Sequence, residues 1–168
     1  MTSFEAVTNA YQTLPKAVSS LMLSTVTADG QPHASYAPYV MDEANHLYIF
    51  TSGLSAHTQN LLDTARAGIL IIEDEATSQQ IFARQRITYD CQAHLMERNS
   101  AAWETQANAF EQRFGDIIQM LRQLADFQIF RLVPYAGRFI MGFGAAYDIN
   151  PEDLTQLIPK AIKPDPEE

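Results

Sequence analysis

Ile87-Thr88-Tyr89-Asp90-Cys91-Gln92-Ala93-His94-Leu95-Met96 alternates residue by residue. In an extended chain Ile87, Tyr89, Cys91, Ala93 and Leu95 share one face, and Thr88, Asp90, Gln92, His94 and Met96 share the other. The spacing predicts a strand with one face on a core and the other in a wetter setting. Upstream, Leu21 to Thr27 is rich in β-branched residues, Asp29-Gly30 is a turn pair, and Gln31 to Met41 is extended again. This predicts a hairpin. Pro38 has no backbone donor, so the second strand is at an edge there or broken by a bulge. His46 to Ser52 makes a third strand and Gly68 to Glu73 a buried one, with a polar helix from Ala56 to Ala65 between them. Thr77 to Gln80 is a single helical turn or a loop.

Downstream, Asn99 and Ser100 cap a long helix whose apolar positions, Trp103, Ala107, Phe110, Phe114, Ile117, Leu121 and Leu124, step by three and four. Gly115 divides or kinks it. Phe127 to Val133 and Arg138 to Ile149 read as two strands about a Pro134–Gly137 turn, and Asn150-Pro151 opens a last short helix, Pro151 to Ile158. At the start, Phe4, Val7, Tyr11, Leu14 and Val18 predict an amphipathic helix around Pro15. Residues 1–158 form one domain, and Pro159 to Glu168 a loose tail with three prolines. Six or seven strands with few inserted helices do not match βαβ alternation, so the expected class is mainly β with flanking helices (α+β), an antiparallel barrel.

The 168 residues carry 11 Lys and Arg against 20 Asp and Glu, a net −9 that opposes phosphate backbones and anionic lipid. Nucleic acid and membrane are not expected partners. The single cysteine, Cys91, cannot form an internal disulfide or a cysteine-based zinc site, and no apolar run reaches the ~20 residues of a span. The first ten residues lack a basic then apolar pattern, which places the protein in the cytoplasm.

The motifs exclude several chemistries. Gly142-Phe143-Gly144 lacks a third glycine and lies in an extended run, where close backbone packing explains it better than phosphate binding. No Gly-x-Ser-x-Gly elbow and no helical histidine pair is present. Of the four histidines, His33 and His46 border turns and read as solvated, and His94 as a surface or interface residue. His57 follows Thr51-Ser52-Gly53-Leu54-Ser55, a strand-to-helix loop where backbone donors meet anions; a local hydrogen bond at a helix start explains it equally well. Arg84 and Arg86 share a side of an extended chain, to hold carboxylates or phosphate, or to pair with Glu73, Asp74 and Glu75. Tyr36, Tyr39, Tyr48 and Tyr89 line a planar cofactor or, more commonly for strand aromatics, the core.

Several segments in order resemble the haem-utilisation proteins of HugZ/HutZ type: Ser35-Tyr36-Ala37-Pro38-Tyr39-Val40, His57-Thr58-Gln59-Asn60-Leu61, Glu73-Asp74-Glu75 and Ile81-Phe82-Ala83-Arg84-Gln85-Arg86-Ile87. Glu97-Arg98, Glu111-Gln112-Arg113-Phe114-Gly115, Leu124-Ala125-Asp126-Phe127 and Gly142-Phe143-Gly144-Ala145-Ala146-Tyr147 continue it, so that it runs from Leu21 to Ile149. The resemblance implies a flavin-binding split barrel of pyridoxamine-phosphate oxidase type: a six-stranded antiparallel Greek-key barrel, homodimeric, with cofactor sites at the interface.

Flavin-using members are implied to grip the flavin phosphate through Ser-Arg-Lys after the third strand, where this sequence has Ser55, Ala56 and His57. Losing two cations removes charge-assisted hydrogen bonds of ~1.5–3 kcal/mol each, which favours haem over FMN. The haem-degrading members are implied to use a C-terminal histidine on the iron and an aspartate from the other subunit. The aspartate matches Asp126, whereas Leu154 to Glu168 contains no histidine. His57 is then the candidate to approach an iron. Three readings follow: a haem-binding dimer with Ser55, His57, Arg84 and Arg86 at the cofactor and Asp126 in any catalytic role; an FMN-dependent oxidoreductase; and a non-catalytic member with a decayed site.

Overall fold

The computed structural model describes residues 3–158. A first helix, α1 (Phe4–Ala17), is capped by Ser3, whose side chain accepts from Ala6 N, and buries Val7, Tyr11 and Leu14. Strands β1 (Ser20–Val26) and β2 (Pro32–Met41) form the expected hairpin. Pro38 pairs with Ser20 at the end of that ladder, and β2 then pairs with β3 (Leu47–Ser52) from Tyr39 onward, so the missing donor falls at the handover. After α2 (Ala56–Thr64) come β4 (Arg66–Ile72), a 3-10 turn at Ile81–Ala83 and β5 (Arg86–Leu95). The remaining elements are α3 (Ala101–Phe114), α4 (Ile117–Gln123), β6 (Phe127–Gly142), β7 (Ala145–Ile149) and β8 (Leu157–Ile158).

All pairings are antiparallel, in the order β3-β2-β1-β4-β5-β6-β7-β8, and β3 also pairs with β6. That last pairing closes six strands into a barrel, and the return of β4 to the far side of β1 makes the Greek key. Inward-facing residues alternate along β1, where Leu21, Leu23 and Thr25 are buried, and along β5 from Ile87 to Ala93. The interior is one core, covered by Val7, Tyr11 and Leu14 of α1. A second core lies outside the barrel, where Trp103, Ala107 and Phe110 of α3 pack on Val40, Tyr48, Phe50 and Ile129. This is why β3 is apolar on both faces.

Three sequence expectations are corrected at the C-terminal end. Pro134–Gly137 is no turn: Phe127 to Gly142 is one 16-residue strand. Cys91 pairs with Pro134 and Asp90 with Ala136, so Tyr135 is an extra residue in a bulge, which accommodates a proline inside a ladder. Gly137 is needed for close approach, since a Cβ there would stand 2.7 Å from Tyr89 Cδ1 and 2.8 Å from Thr88 O. Close packing therefore belongs to Gly137 and not to Gly142-Phe143-Gly144. There Phe143 and Gly144 form the hairpin turn, with Gly144 at φ +70.

The helix expected over Pro151–Ile158 is replaced by a loop and β8. Asn150 and Asp153 use their side chains on nearby backbone donors, Glu152 N and Thr155 N, which competes with helix formation. The expected loose tail, 159–168, lies outside the described residues. Gly115, at φ +79, ends α3 and separates it from α4. Among the described residues no helix is long and apolar enough to cross a membrane.

Candidate functional site

The loop from β3 into α2 brings together residues far apart in sequence. Ser52 Oγ donates to Asp126 Oδ2 at 2.7 Å, Gly53 N donates to Asp126 O at 2.8 Å, and Leu54 N donates to Ser52 Oγ at 3.1 Å. Gly53 permits this approach, because a Cβ would lie 3.1 Å from Asp126 O. Asp126 is thus held by the loop at two points.

Four buried polar residues fix α2 on the barrel end. Thr58 Oγ1 bonds Ser52 O and Thr51 Oγ1, and Asn60 Nδ2 donates to Thr25 Oγ1 at 2.9 Å. Each would be costly to bury unpaired. With both ends of the helix anchored, His57 is set over β2. Ser55 stands at the N-cap with extended dihedrals but makes no side-chain capping bond, and its carbonyl receives Thr58 N. Its hydroxyl stays free for a ligand, beside the helix's first backbone donors.

The contact with Ser35 bears on which nitrogen of His57 carries the proton. Ser35 Oγ lies 3.3 Å from Leu23 O and 3.1 Å from His57 Nδ1. With the Ser35 proton on Leu23 O, neutral His57 carries its own proton on Nδ1 and its lone pair on Nε2; with the Ser35 proton on Nδ1, the two nitrogens exchange roles. Burial first, and the neighbouring His33 second, push the His57 pKa below 6.5, which favours the neutral form. His33 Nδ1 is itself buried without a partner among the described residues.

Other expected residues sit elsewhere. Arg84 donates through Nε (2.9 Å) and NH2 to Glu73 O, and Arg86 NH1 donates to Arg84 O at 3.0 Å. The anticipated ion pairs with Glu73, Asp74 and Glu75 are absent among the described residues; Glu73 Oε2 accepts from Gln85 N instead. Ser35 is level with Leu23, Ile69 and Tyr89, so Arg86 lies three strands over and about 10 Å further along the strand direction. Within one chain the two arginines do not join His57.

Of the four tyrosines, Tyr39, Tyr48 and Tyr89 are core and Tyr36 is 64% exposed. Tyr36 faces Met22, itself 52% exposed, across the β1–β2 ladder, so together they present an apolar strip to solvent. His46 is not simply solvated: it is half-buried with Nδ1 3.1 Å from Asp42 Oδ2. His94 is on the exposed face of β5, opposite Arg131.

Sequence reasoning missed Ser35, Ser52, Thr58 and Asn60 as the residues that orient the site. Thr58 and Asn60 had one signal, their place in a helix with too few apolar residues to bind by packing alone.

The family model for pyridoxamine 5'-phosphate oxidase matches residues 7–141. Over 139 residues the chain is 40% identical to HutZ of Vibrio cholerae, which is named a heme oxygenase, covering 83% of this chain and 78% of that one. A crystal structure of Vibrio cholerae HutZ, there called a heme storage protein, superposes with a TM-score of 0.72 at 37% identity, over 75% of this chain and 88% of that one. ChuZ of Campylobacter jejuni superposes with a TM-score of 0.81 at 30% identity, over 91% of this chain and 63% of that one.

Proposed function

Since the chain belongs to the pyridoxamine 5'-phosphate oxidase family, we propose that it is the haem-binding kind of member, a homodimeric protein of haem utilisation acting in the cytoplasm without nucleic-acid or membrane partners. The observation that carries this reading is the match to HutZ across most of both chains. The chemistry of the site supports it. In the tautomer whose Nδ1–H donates to Ser35 Oγ, the neutral imidazole has a free Nε2 lone pair that suits an iron, with a partner that fixes the ring. Haem, when bound, supplies a redox-active iron.

The chain's own residues then divide the work. His57 approaches the metal through Nε2, with Ser35 as its orienting partner. Asp126, held by Ser52 and Gly53, keeps a carboxylate at a fixed position on the rim. Arg84 and Arg86 retain unused N–H groups that suit carboxylates, and a second copy is needed to bring them near His57. The exposed Met22–Tyr36 strip supplies apolar area for that copy or for the planar group between the two.

One observation favours the other reading, an FMN-dependent oxidoreductase. Ser55 is an uncapped helix start with a free hydroxyl, a setting for phosphate. Against it, Ala56 and His57 supply no fixed positive charge there. The test is an absorption spectrum of the purified protein titrated separately with hemin and FMN, for wild type and His57→Ala. A saturable Soret band at micromolar hemin, altered by the substitution, is expected; a protein that leaves the hemin spectrum unchanged overturns the proposal. A positive result is followed by an ascorbate-driven haem degradation assay, in which Asp126→Asn reports any catalytic part for Asp126.

A further inference from the structure

A pocket of about 450 Å3 opens where β5 ends, between the start of α3 and the loop that carries Asp126. Its size is ordinary for a small-molecule site. Leu95, Met96, Trp103 and Phe127 form its apolar walls, and Arg98 and Gln128 line it with polar groups. None of these six residues belongs to the haem site proposed above.

Two residues that line the pocket carry a buried polar atom without a partner among the described residues, a donor on Trp103 and an acceptor on Gln128. Trp103 is 2% exposed, and its indole Nε1 has no partner among the described residues. A buried indole N–H ordinarily finds one. Arg98 lies with its guanidinium carbon 5.3 Å from the centre of the Trp103 ring, anchored by NH1 to Phe127 O at 2.7 Å and by NH2 to Arg122 O. Those bonds take two of its five N–H groups, and no carboxylate pairs with it among the described residues. Arg122, which also lies over Trp103, is by contrast neutralised by Glu104 and Glu111.

Gln128 Oε1 is likewise buried and unpartnered among the described residues. The acid on the rim, Glu97, is exposed and solvated. A half-buried, anchored guanidinium with no carboxylate partner among the described residues, standing over the Trp103 ring at the pocket wall, calls for an anionic acceptor, and the apolar walls call for a flat apolar body.

We propose that this pocket binds a small aromatic carboxylate, whose carboxylate receives the free N–H groups of Arg98 while its ring packs on Leu95 and Phe127, next to the buried Trp103 indole. Trp103 is the single tryptophan of the chain, so both its fluorescence and its indole resonance report on this pocket alone. The test is a titration of the 15N-labelled, haem-free protein with benzoate, followed through the one indole N–H cross-peak. A saturable shift is expected, with a dissociation constant of about 1 mM or tighter. Benzamide, the neutral isostere, should bind at least about tenfold more weakly, as should benzoate to Arg98→Gln.

An indole peak that does not respond to benzoate overturns the proposal. So does equal binding of benzamide, or undiminished binding by a folded Arg98→Gln. The wild-type titration decides the matter even if that variant fails to fold, and failure of hemin binding leaves its outcome untouched.

Discussion

Replacing Ser35 with alanine should move the ring proton of His57. The assignment under test gives the only proton of the Ser35 hydroxyl to Leu23 O, so that Ser35 accepts from Nδ1–H at 3.1 Å and holds the lone pair on Nε2. The net worth of a hydrogen bond between neutral, partly buried groups is about 1 kcal/mol. Its loss shifts the tautomer ratio toward Nε2–H by a factor of about five. If the form with the free Nε2 is the one that meets iron, hemin affinity falls by at most about the same factor. The assay is the pair of imidazole 15N resonances, read above pH 8 where His57 is neutral, with a parallel hemin titration. A wild-type spectrum in which Nδ1 carries the lone pair, or an Ser35→Ala spectrum identical to wild type, refutes the assignment.

Gly137→Ala places a Cβ within 2.9 Å of Tyr89 Cδ1, Thr88 O and Ile149 Cδ1, and the carbonyl cannot retreat without opening the ladder between β5 and β6. We expect a loss of about 3 kcal/mol and a drop in Tm of roughly 6–12 °C; a Tm within about 2 °C of wild type would contradict it. Because the folded pKa of His57 lies below 6.5, its neutral form is the one the fold prefers. Stability should be full above about pH 6.5 and decline as pH falls from there through the depressed folded value, since the unfolded chain takes the proton first. Urea midpoints between pH 8 and pH 5 should show a decline that is shallower in His57→Ala. Burial, with Asp90 second, pushes the Cys91 thiol up to about 12. Iodoacetamide at pH 8 should therefore spare the native protein and alkylate it only in denaturant.

The barrel was legible because its strands alternate and its turns carry Asp-Gly or glycine signals, as in the β1–β2 hairpin. The long helix was legible too, although its apolar steps run on through Gly115, which divides it into α3 and α4, one of the two effects read from that glycine. Errors arose where a local signal has two physical uses. Pro134 with Gly137 reads as a turn, yet the proline sits beside a bulge and the glycine makes room for Tyr89, both set by pairing with a distant strand. Asn150-Pro151 reads as a helix start, yet Asp153 redirects the backbone within one turn.

At the site, Asp126, Ser55 and His57 stood out through family resemblance and loop position. Ser35 and Ser52 did not. A serine's role depends on which backbone carbonyl or carboxylate lies across the sheet, and nothing in its neighbours along the chain records that. The arginines show the opposite failure: adjacency in sequence suggested a shared anion site, and the fold spends several of their donors on main-chain carbonyls.

The seam between β3 and β6 also governs the order of assembly. Strands β1 to β3 can associate through neighbouring segments, and β4 with β5 likewise. Closure, however, joins segments near residue 50 to segments near residue 130, whose union carries a large loop-closure entropy and is expected late in folding. Ser52 and Asp126, 74 residues apart, meet at the end of that seam, where Ser52 pairs with Phe127. The carboxylate thus gains its partner only once the ring of strands is complete. In refolding, the Asp126 end of the site should acquire amide protection with the slowest phase, after the β1–β2 hairpin that carries Ser35.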